Sequence, residues 1–453
     1  MPKKKTALTI EERLQQALVP AEEQPYKVPE NWVWVRLGAI AEIVTGGTPS
    51  KKHPEYYGGN FPFYKPSDLD QGRLTYDASE YLSEEGKNVS RIIPKNSTAV
   101  CCIGSIGKCG YLMCEGTTNQ QINSAIPKIN SLCLYYYLCT ENFVQDLLSM
   151  ASATTIAIVN KSKMESCAFP LPPLSEQQRI VERIEELLAK LDEAKERLQE
   201  VADSFAVRKA AILHKAFTGE LTKQWRWENG VSYESWEEKK GEDFFEYVTS
   251  GSRGWAKYYS DKGSIFIRMG NLNHGTIELD FSDIQYVELP DQVEGQRSKL
   301  QKNDILISIT ADVGMIALVR EDMDAYINQH VALARPKNDL YAEFLAWYFV
   351  SDDGLQQMQN KQRGATKIGL GLQDIRSIIL KIPTLPEQHE IVRLIDDLLA
   401  RERAAQQAAE QALASIDLMK KSILARAFRG ELGTNKASEA SALELLKQVL
   451  AEN

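Results

Sequence analysis

Two stretches of this chain carry apolar residues at alternating steps of three and four, the spacing of helices that pack along one seam. In the middle of the second stretch the seam side chains are small, whereas those of the first stretch are large. The natural packing partner of each helix is therefore the other helix. Either relative direction is open, and two equivalent units favour an antiparallel coiled coil. Ordinary amphipathic helices on separate domains are the alternative. The seam residues are Ile180, Ile184, Leu187, Leu191, Leu198, Val201 and Phe205, then Ile391, Ile395, Leu398, Ala405, Ala409, Ala412 and Ile416.

The ends of both helices are marked by residues that favour caps and stops. Ser175, followed by Gln178, is a candidate N-cap, and Pro386 falls early in the second helix, where its missing N–H costs little. Gly219 and Gly430 are natural C-terminal stops. A helix from Ser175 to Gly219 would be about 68 Å long at 1.5 Å per residue, which suits a spacer between two globular units.

The helical stretches belong to an internal repeat. The sequence LPPLSEQQRIVERIEELLA (171–189) recurs as IPTLPEQHEIVRLIDDLLA (382–400), and ILHKAFTGEL (212–221) recurs as ILARAFRGEL (423–432), both at an offset of 211 residues. Upstream similarity is looser, with Asn119-Gln120 matching Asn328-Gln329. The chain is therefore a globular unit and a helix, used twice.

Each globular unit contains short strand-like runs, such as 98–103, 305–309 and 316–319, and one predicted helix near its end, at 132–150 or 340–362. The fold class is therefore α+β, with two similar globular domains, a pair of long helices and pseudo-twofold symmetry. The predicted boundaries are an N-terminal extension with a short helix (1–30), head 1 (31–170), a first helical region (171–221), a linker (222–230), head 2 (231–381), a second helical region (382–432) and a helical tail (433–453). The extension and the tail carry amphipathic segments, expected to dock on the helical pair or on partner subunits.

Composition sets broad limits. With 453 residues, 43% hydrophobic and 25% charged, the chain suits two or more ordinary cores and excludes extensive disorder. It has no apolar run of membrane-spanning length and no secretory signal, so a cytoplasmic location is expected. The net charge of −9 argues weakly against a nucleic-acid partner, although net charge hides its distribution.

All seven cysteines fall in head 1, between Cys101 and Cys167. A metal cluster would suit Cys101, Cys102, Cys109 and Cys114, but these lack the paired spacing of a zinc site. Buried reduced thiols in a cytosolic core are the favoured reading. Head 2 has Ser308 and Ile309 where head 1 has Cys101 and Cys102, which also argues against an essential metal.

Small and basic residues form matching loops in the two heads, at 46–53 and 251–257. Such loops let the backbone approach phosphate, while Asn and Gln side chains pair with adenine edges. The alternative for each residue is a solvated loop, or a side chain that caps backbone groups. The candidate DNA-binding residues are Thr48, Lys51, Lys65, Ser67, Arg73, Ser105, Lys108, Asn119, Gln120 and Gln121 in head 1, and Ser252, Arg253, Lys257, Arg268, Asn271, Asn273, Arg297, Asn328, Gln329, His330, Arg363 and Lys367 in head 2.

Signatures of catalysis are missing from the sequence. It has no phosphate-binding G-x4-G-K-[ST] motif, no H-E-x2-H and no G-x-S-x-G elbow. The five histidines are scattered, so no metal or catalytic residues are predicted. Binding is a better interpretation than catalysis.

The duplicated LPxLxEQxxIV…LL and ILxxAFxGEL motifs resemble the conserved regions of the specificity subunits (HsdS) of type I restriction-modification systems. In head 1, VPENWVWVRLGAI (28–40) and TGGTPSKKHPEYYGGNFPFYKPSDL (45–69) resemble a target recognition domain of that family. The resemblance covers residues 31–432, and is weaker in head 2.

This resemblance implies a non-catalytic subunit whose two target recognition domains read the halves of an asymmetric, bipartite site in double-stranded DNA. It also implies two methyltransferase (HsdM) subunits and restriction (HsdR) subunits as partners. S-adenosylmethionine, ATP and magnesium are expected on those partners, and no cofactor on this chain. The competing hypotheses are a protein–protein scaffold and a nuclease or methyltransferase in its own right.

Overall fold

The protein, seen here as a computed structural model, is described for residues 9–152, 157–290, 295–363 and 369–452. It divides into two units, each of which takes one head and parts of both helical regions. Unit 1 comprises Met1–Leu198 with Gln411–Asn453, and unit 2 comprises Gln199–Glu410. The helical regions therefore belong to the units that contain the heads.

Unit 1 begins with the short helix predicted for the N-terminal extension and continues into head 1. Its helices are α1 (Ile10–Ala17), α2 (Leu37–Ile40), α3 (Glu84–Asn88), α4 (Ser131–Leu138), α5 (Glu141–Met150), α6 (Lys161–Ser166) and α7 (Leu174–Asp203), the last of which runs on into unit 2. Its strands are β1 (Val33–Arg36), β2 (Ala41–Thr45), β3 (Tyr57–Tyr64), β4 (Glu80–Leu82), β5 (Thr98–Cys101), β6 (Cys109–Tyr111), β7 (Thr117–Thr118), β8 (Ile122–Pro127) and β9 (Ala168–Leu171).

Unit 2 repeats this order of elements. Its helices are α8 (Phe205–Phe217), α9 (Lys223–Asn229), α10 (Gly241–Phe244), α11 (Ala342–Val350), α12 (Asp352–Asn360), α13 (Leu372–Arg376) and α14 (Leu385–Ala427), the last of which runs on into unit 1. Its strands are β10 (Glu237–Lys240), β11 (Phe245–Ser250), β12 (Tyr259–Ser260), β13 (Ser264–Ile267), β14 (Tyr286–Val287), β15 (Ile305–Ser308), β16 (Ile316–Leu318), β17 (Ala325–Ile327), β18 (Val331–Pro336) and β19 (Ile379–Ile382). The final helix, α15 (Ala442–Ala451), lies in unit 1.

The sheets of the two heads follow one plan, although the second sheet has three strands in head 1 (β4-β3-β7) and four in head 2 (β12-β14-β13-β17). An antiparallel sheet has the order β2-β8-β5-β6 in head 1 and β11-β18-β15-β16 in head 2. A second sheet contains the parallel pair β3–β7 in head 1 and β13–β17 in head 2. Each head is closed by a two-stranded pair, β1–β9 or β10–β19. The predicted α+β class and the duplication of one fold are confirmed.

The sheets and the start of each long helix enclose the two largest cores. In unit 1, Ile43 and Val100 of the sheet share a core with Phe143 and with Ile180 of α7. In unit 2, Ile307 is clustered with Phe344 and with Ile391 of α14. Burial of these apolar faces fixes each head on its own helix.

The single helix predicted near the end of each head is instead two. Thr140 begins α5 and Ser351 begins α12, because each hydroxyl accepts a hydrogen bond from a backbone N–H in the first turn, 3.3 Å away in both heads. These residues are separated by 211 positions, so the division is part of the repeat. An apolar run alone did not reveal this internal N-cap.

The first long helix is likewise divided, at Ser204, whereas the prediction was one helix from Ser175 to Gly219. The Ser204 hydroxyl donates to the Val201 carbonyl at 2.7 Å, and this bond competes with the regular helical pattern. The helix begins at Leu174, so Ser175 lies inside the first turn and is not the N-cap. Pro386 is the second residue of α14, as expected.

In each unit the two helical segments run antiparallel, as predicted. In unit 1, Asp192 pairs with Lys420 at 2.5 Å, while the earlier Arg179 reaches the later Thr434 carbonyl at 3.0 Å. In unit 2, Arg208 pairs with Glu402 at 2.8 Å, and the later Thr222 bonds the earlier Glu387.

Burial along the predicted seam is uneven. Seven of its residues are buried: Ile180, Ile184, Phe205, Ile391, Ile395, Ala409 and Ile416. Leu187, Leu191, Leu198, Leu398 and Ala412 are half-buried, whereas Val201 and Ala405 are exposed. Ile180, Ile184, Ile391 and Ile395 belong to the head cores, whereas Phe205, Ala409 and Ile416 are buried outside those cores.

Both terminal segments pack within unit 1. Helices α1 and α15 contact each other, and the Arg13 guanidinium donates to the Leu450 carbonyl at 3.2 Å. Ala17, Ala442 and Leu446 join the core of head 1. The expectation that these segments dock on the helical pair or on partners was therefore incomplete, because the head core already buries their apolar faces. The predicted linker 222–230 also contains a helix, α9.

The seven cysteines are free thiols. Cys101, Cys102, Cys133 and Cys167 are buried, and the other three are half-buried. Burial raises the pKa of the Cys102 thiol to about 12, which keeps it protonated and unreactive. In the described part of the chain, no three His, Cys, Asp or Glu side chains are grouped to hold a metal ion. Nor does any described helix combine the length and apolar character of a membrane crossing.

Candidate nucleic-acid interface

In head 1, a glycine loop passes directly over the Asn-Gln segment. The Gly46 N–H donates to the Ile122 carbonyl at 2.9 Å, and the Gly47 N–H donates to the Thr118 carbonyl at 2.8 Å. A Cβ at Gly46 would lie 2.1 Å from the Asn119 carbonyl oxygen. Only glycine permits this approach, which holds the basic loop beside Asn119 and Gln120.

Head 2 repeats the crossing. The Gly251 N–H donates to the Asn328 carbonyl at 3.2 Å. A Cβ at Gly251 would lie 1.9 Å from the Ile327 carbonyl oxygen. Because two sequences of different composition preserve the same close contact, the crossing is a shared feature of the two heads.

The two asparagines of these segments stabilise the turns themselves. The Asn119 side-chain oxygen accepts from the Gln121 N–H at 3.0 Å, and that of Asn328 accepts from the His330 N–H at 3.0 Å. Both residues are less than a tenth exposed. The alternative that these side chains cap backbone groups therefore applies to Asn119 and Asn328. Of their neighbours, Gln120 is exposed and Gln329 is half-buried and lines a cavity.

A polar cavity of about 640 Å³ opens beside Gln329 in head 2. Its walls include the predicted Ser252, Arg253, Lys257 and Arg297. Among the described residues, no carboxylate lies within ion-pair distance of Arg253, Lys257 or Arg297. The full lining is Ser250, Gly251, Ser252, Arg253, Gly254, Trp255, Lys257, Tyr258, Gly295, Arg297 and Gln329.

The matching loop of head 1 presents a smaller set of groups. The Thr48 hydroxyl donates to the Gln120 side-chain oxygen. Lys51 and Lys52 are exposed, and within the described ranges neither ammonium group has a carboxylate partner. The Arg91 guanidinium, which sequence reasoning missed, donates to the Thr45 carbonyl at the start of this loop.

Five other predicted cations are paired with carboxylates of their own unit. The Arg73 guanidinium lies 3.2 Å from Glu185 of α7 and 4.9 Å from the Tyr111 ring, so it ties head 1 to its helix. Pairing leaves these side chains less available to DNA than the cations at the loops. The other four pairs are Lys65–Glu80, Lys108–Asp70, Arg268–Asp283 and Arg363–Asp374, with N–O distances of 2.7 to 3.0 Å.

The remaining candidates divide into buried and exposed groups. Asn271 is buried: its oxygen accepts from the Arg268 N–H at 2.9 Å and its amide donates to two carbonyls, so these groups stabilise the turn. Ser67, Ser105 and Asn273 are exposed, whereas Gln121 accepts from the Asn119 amide at 3.0 Å. Lys367 lies outside the described residues.

A buried carboxylate at the start of each long helix was also missed. In unit 2, Glu387 accepts from Trp236 at 3.1 Å, Thr222 at 2.7 Å and Arg226 at 2.6 Å. We call a buried carboxylate together with its hydrogen-bond donors a carboxylate clasp. Glu387 and Arg226 form the central pair of the second clasp, and the first lies in unit 1. Glu387 is fully buried and pairs with Arg226, which satisfies its charge.

The first carboxylate clasp, centred on Glu176 in unit 1, has neutral donors in place of the arginine. Trp32 donates at 2.7 Å, Asn435 at 2.8 Å and Thr434 at 3.2 Å. Both acids lie in the repeated LxEQ motif, 211 residues apart. That recurrence of a charged residue was the signal that could have revealed them.

Two heads of one fold, each with a basic glycine loop over a presented amide, define a protein of the nucleic-acid-recognition class. The sequence matches the family described as the type I restriction modification DNA specificity domain, over residues 29–203 and 233–412. The chain belongs to this family. The specificity subunits of the family, and hence this chain, are non-catalytic.

Individual relatives are similar over almost their whole length. The specificity subunit of the type I restriction enzyme EcoBI from Escherichia coli is 28% identical over 94% of this chain and 93% of its own. The specificity subunit of EcoKI from Escherichia coli K12 is 25% identical over 94% of this chain and 96% of its own. The crystal structure of the HsdS subunit from Thermoanaerobacter tengcongensis is 20% identical, with a TM-score of 0.66 over 90% of this chain and 99% of that chain.

Proposed function

We propose that this chain reads an asymmetric, bipartite DNA target, with head 1 reading one half-site and head 2 the other. The observation that carries the proposal is the repeated interface: in both heads, a glycine holds a basic loop beside a glutamine amide. Among the described residues, the loop cations Lys51, Arg253 and Lys257 have no carboxylate partner. The cations suit phosphates and the amides suit base edges.

We further propose that the chain scaffolds two methyltransferase subunits and the restriction subunits in the cytoplasm. A solved chain with a TM-score of 0.62 and 19% identity, covering 90% of this chain and all of its own, comes from work on complex assembly of the type I R-M system. The S-adenosylmethionine, ATP and magnesium needed for methylation and cleavage would then be bound by the partners. The acidic net charge is compatible with this, because partners can supply basic surface around the DNA.

A head exchange tests the division of the target. Residues 231–381 are replaced by the equivalent head of a relative with a different target, and the chain is assembled with its methyltransferase subunits. We expect methylated-site sequencing to show a change in one half-site only. The reciprocal exchange of residues 31–170 is the matched control and should change only the other half. An unchanged target, or a change in both halves, would contradict the proposal.

A further inference from the structure

The glutamines at the two loop crossings have equivalent, fixed backbones. The preceding N–H groups donate to neighbouring strands: Asn119 to the Tyr64 carbonyl at 3.1 Å and Asn328 to the Ile267 carbonyl at 3.0 Å. Each asparagine side-chain oxygen also accepts a hydrogen bond from the backbone N–H two residues later in the chain. Gln120 is therefore held between two anchored positions, and Gln329 is held in the same way.

The side chain of each glutamine is oriented by one neighbour. The Thr48 hydroxyl donates to the Gln120 oxygen, and the Gln329 nitrogen lies 2.9 Å from His330 Nε2. Each remaining amide atom is without a partner among the described residues. A restrained side chain loses less entropy when it binds than a free one. The amide thus keeps a donor and an acceptor available in a fixed direction.

In head 2, Arg253 and Arg297 share the cavity wall with Gln329. A cavity wall that combines an amide with cations matches the chemistry of a base edge flanked by phosphates. Among base edges, the major-groove edge of adenine offers the adjacent donor and acceptor, N6 and N7, that a glutamine amide pairs with bidentately.

We infer that Gln120 and Gln329 are equivalent base-reading residues, each of which recognises one adenine in the major groove of its half-site. This rests on the proposed function and deepens it. It also separates the roles within each Asn-Gln segment: the asparagine fixes the turn and the glutamine reads the base.

The test uses the isosteric change of amide to carboxylate. A carboxylate cannot donate to adenine N7 but accepts from cytosine N4. The full chain, in complex with its methyltransferase subunits, selects from a duplex library with both half-sites randomised. For Gln329→Glu, we expect preference at one position of the head 2 half-site to move from adenine to cytosine. The change in the ratio of the two bases should be about tenfold or more, the size of one good bidentate pair.

Gln120→Glu should do the same at one position of the other half-site. Gln359→Glu is the control, because it places the same charge on an exposed position of α12 away from the crossing. Unaltered thermal unfolding would show that each variant is folded. If the wild type selects a bipartite site but the glutamine variants keep every base preference, the reading role is wrong and the proposed function stands. If the wild type selects no bipartite site, both fail.

Discussion

At the scale of single residues, position in the turn determines what a polar side chain can do. Asn119 and Gln120 are adjacent and chemically alike, yet one is buried in a turn and the other faces outward. The Asn271 amide likewise donates its hydrogen bonds to backbone carbonyls of its own head. Residue type alone therefore did not distinguish the polar side chains that stabilise a turn from those that remain candidates for DNA contact.

The glycine crossing gives a prediction with an internal control. Gly46→Ala should destabilise the protein by about 1–3 kcal/mol, as overpacking typically does, because its Cβ would meet backbone that cannot rotate away. It should also weaken reading of the head 1 half-site. Gly47→Ala is the control, because a Cβ there meets nothing within 4 Å. Urea unfolding and DNA binding measure the two effects. If both variants had the same stability and the same DNA binding, the close contact at Gly46 would be refuted.

At the scale of elements, the carboxylate clasps join each head to segments that are distant in sequence. Glu387 begins α14, Trp236 precedes β10, and Thr222 follows α8. A clasp thus joins the end of one repeat's helix to the start of the other's. Apolar periodicity predicted the helices but contains no information about such polar joints.

Removal of the cation from the second carboxylate clasp should be costly. In Arg226→Met the fully buried Glu387 loses its charged partner, so we expect a loss of about 3–5 kcal/mol in stability. Arg197→Met removes a solvent-exposed pair with Glu193 and should cost about 1 kcal/mol or less. Denaturant unfolding of the full chain compares them. Similar small losses in both variants would show that the clasp does not stabilise the fold.

Docking of the C-terminal tail should weaken at acid pH. The Arg179 guanidinium, bonded to both carboxylate oxygens, lowers the pKa of Glu439 below its ordinary value of 4.5. A lowered acid pKa stabilises docking above the ordinary value, and this stability is lost as pH falls through the lowered one. Amide exchange protection in α15 should therefore fall as the pH drops below the ordinary value of 4.5 and through the lowered pKa of Glu439. Glu439→Gln should abolish this pH dependence, and Glu444→Gln should keep it. Persistence of the dependence in Glu439→Gln would assign it to another group.

At the scale of the whole molecule, a net charge of −9 coexists with local basic loops. Many cations in the heads are neutralised by nearby acids, so what matters for DNA is which cations remain unpaired. The count of charges along the sequence could not separate the two groups, since ion pairs such as Arg73–Glu185 join residues 112 positions apart.

The salt dependence of DNA binding should separate paired from unpaired cations. Replacement of Arg253, Lys257 or Arg297 by Ala should each reduce the slope of log K against log salt by about one, the effect of one lost phosphate contact. Lys65→Ala, which removes an ammonium already paired with Glu80, should leave the slope nearly unchanged. Binding isotherms of the assembled complex at several salt concentrations measure these slopes. Equal slopes in all variants would show that the cavity residues do not contact DNA.

The sequence by itself determined the duplication, the α+β class, the pair of long helices and the family, because periodicity and repeated motifs are properties of chain order. Only the tertiary structure decided where the long helices are divided or buried, that the terminal helices join head 1, and that Gln120 and Gln329 are less buried than their asparagine neighbours. These outcomes depend on contacts between residues far apart in the chain. Burial and hydrogen bonding at such contacts assign each side chain to structure or to binding.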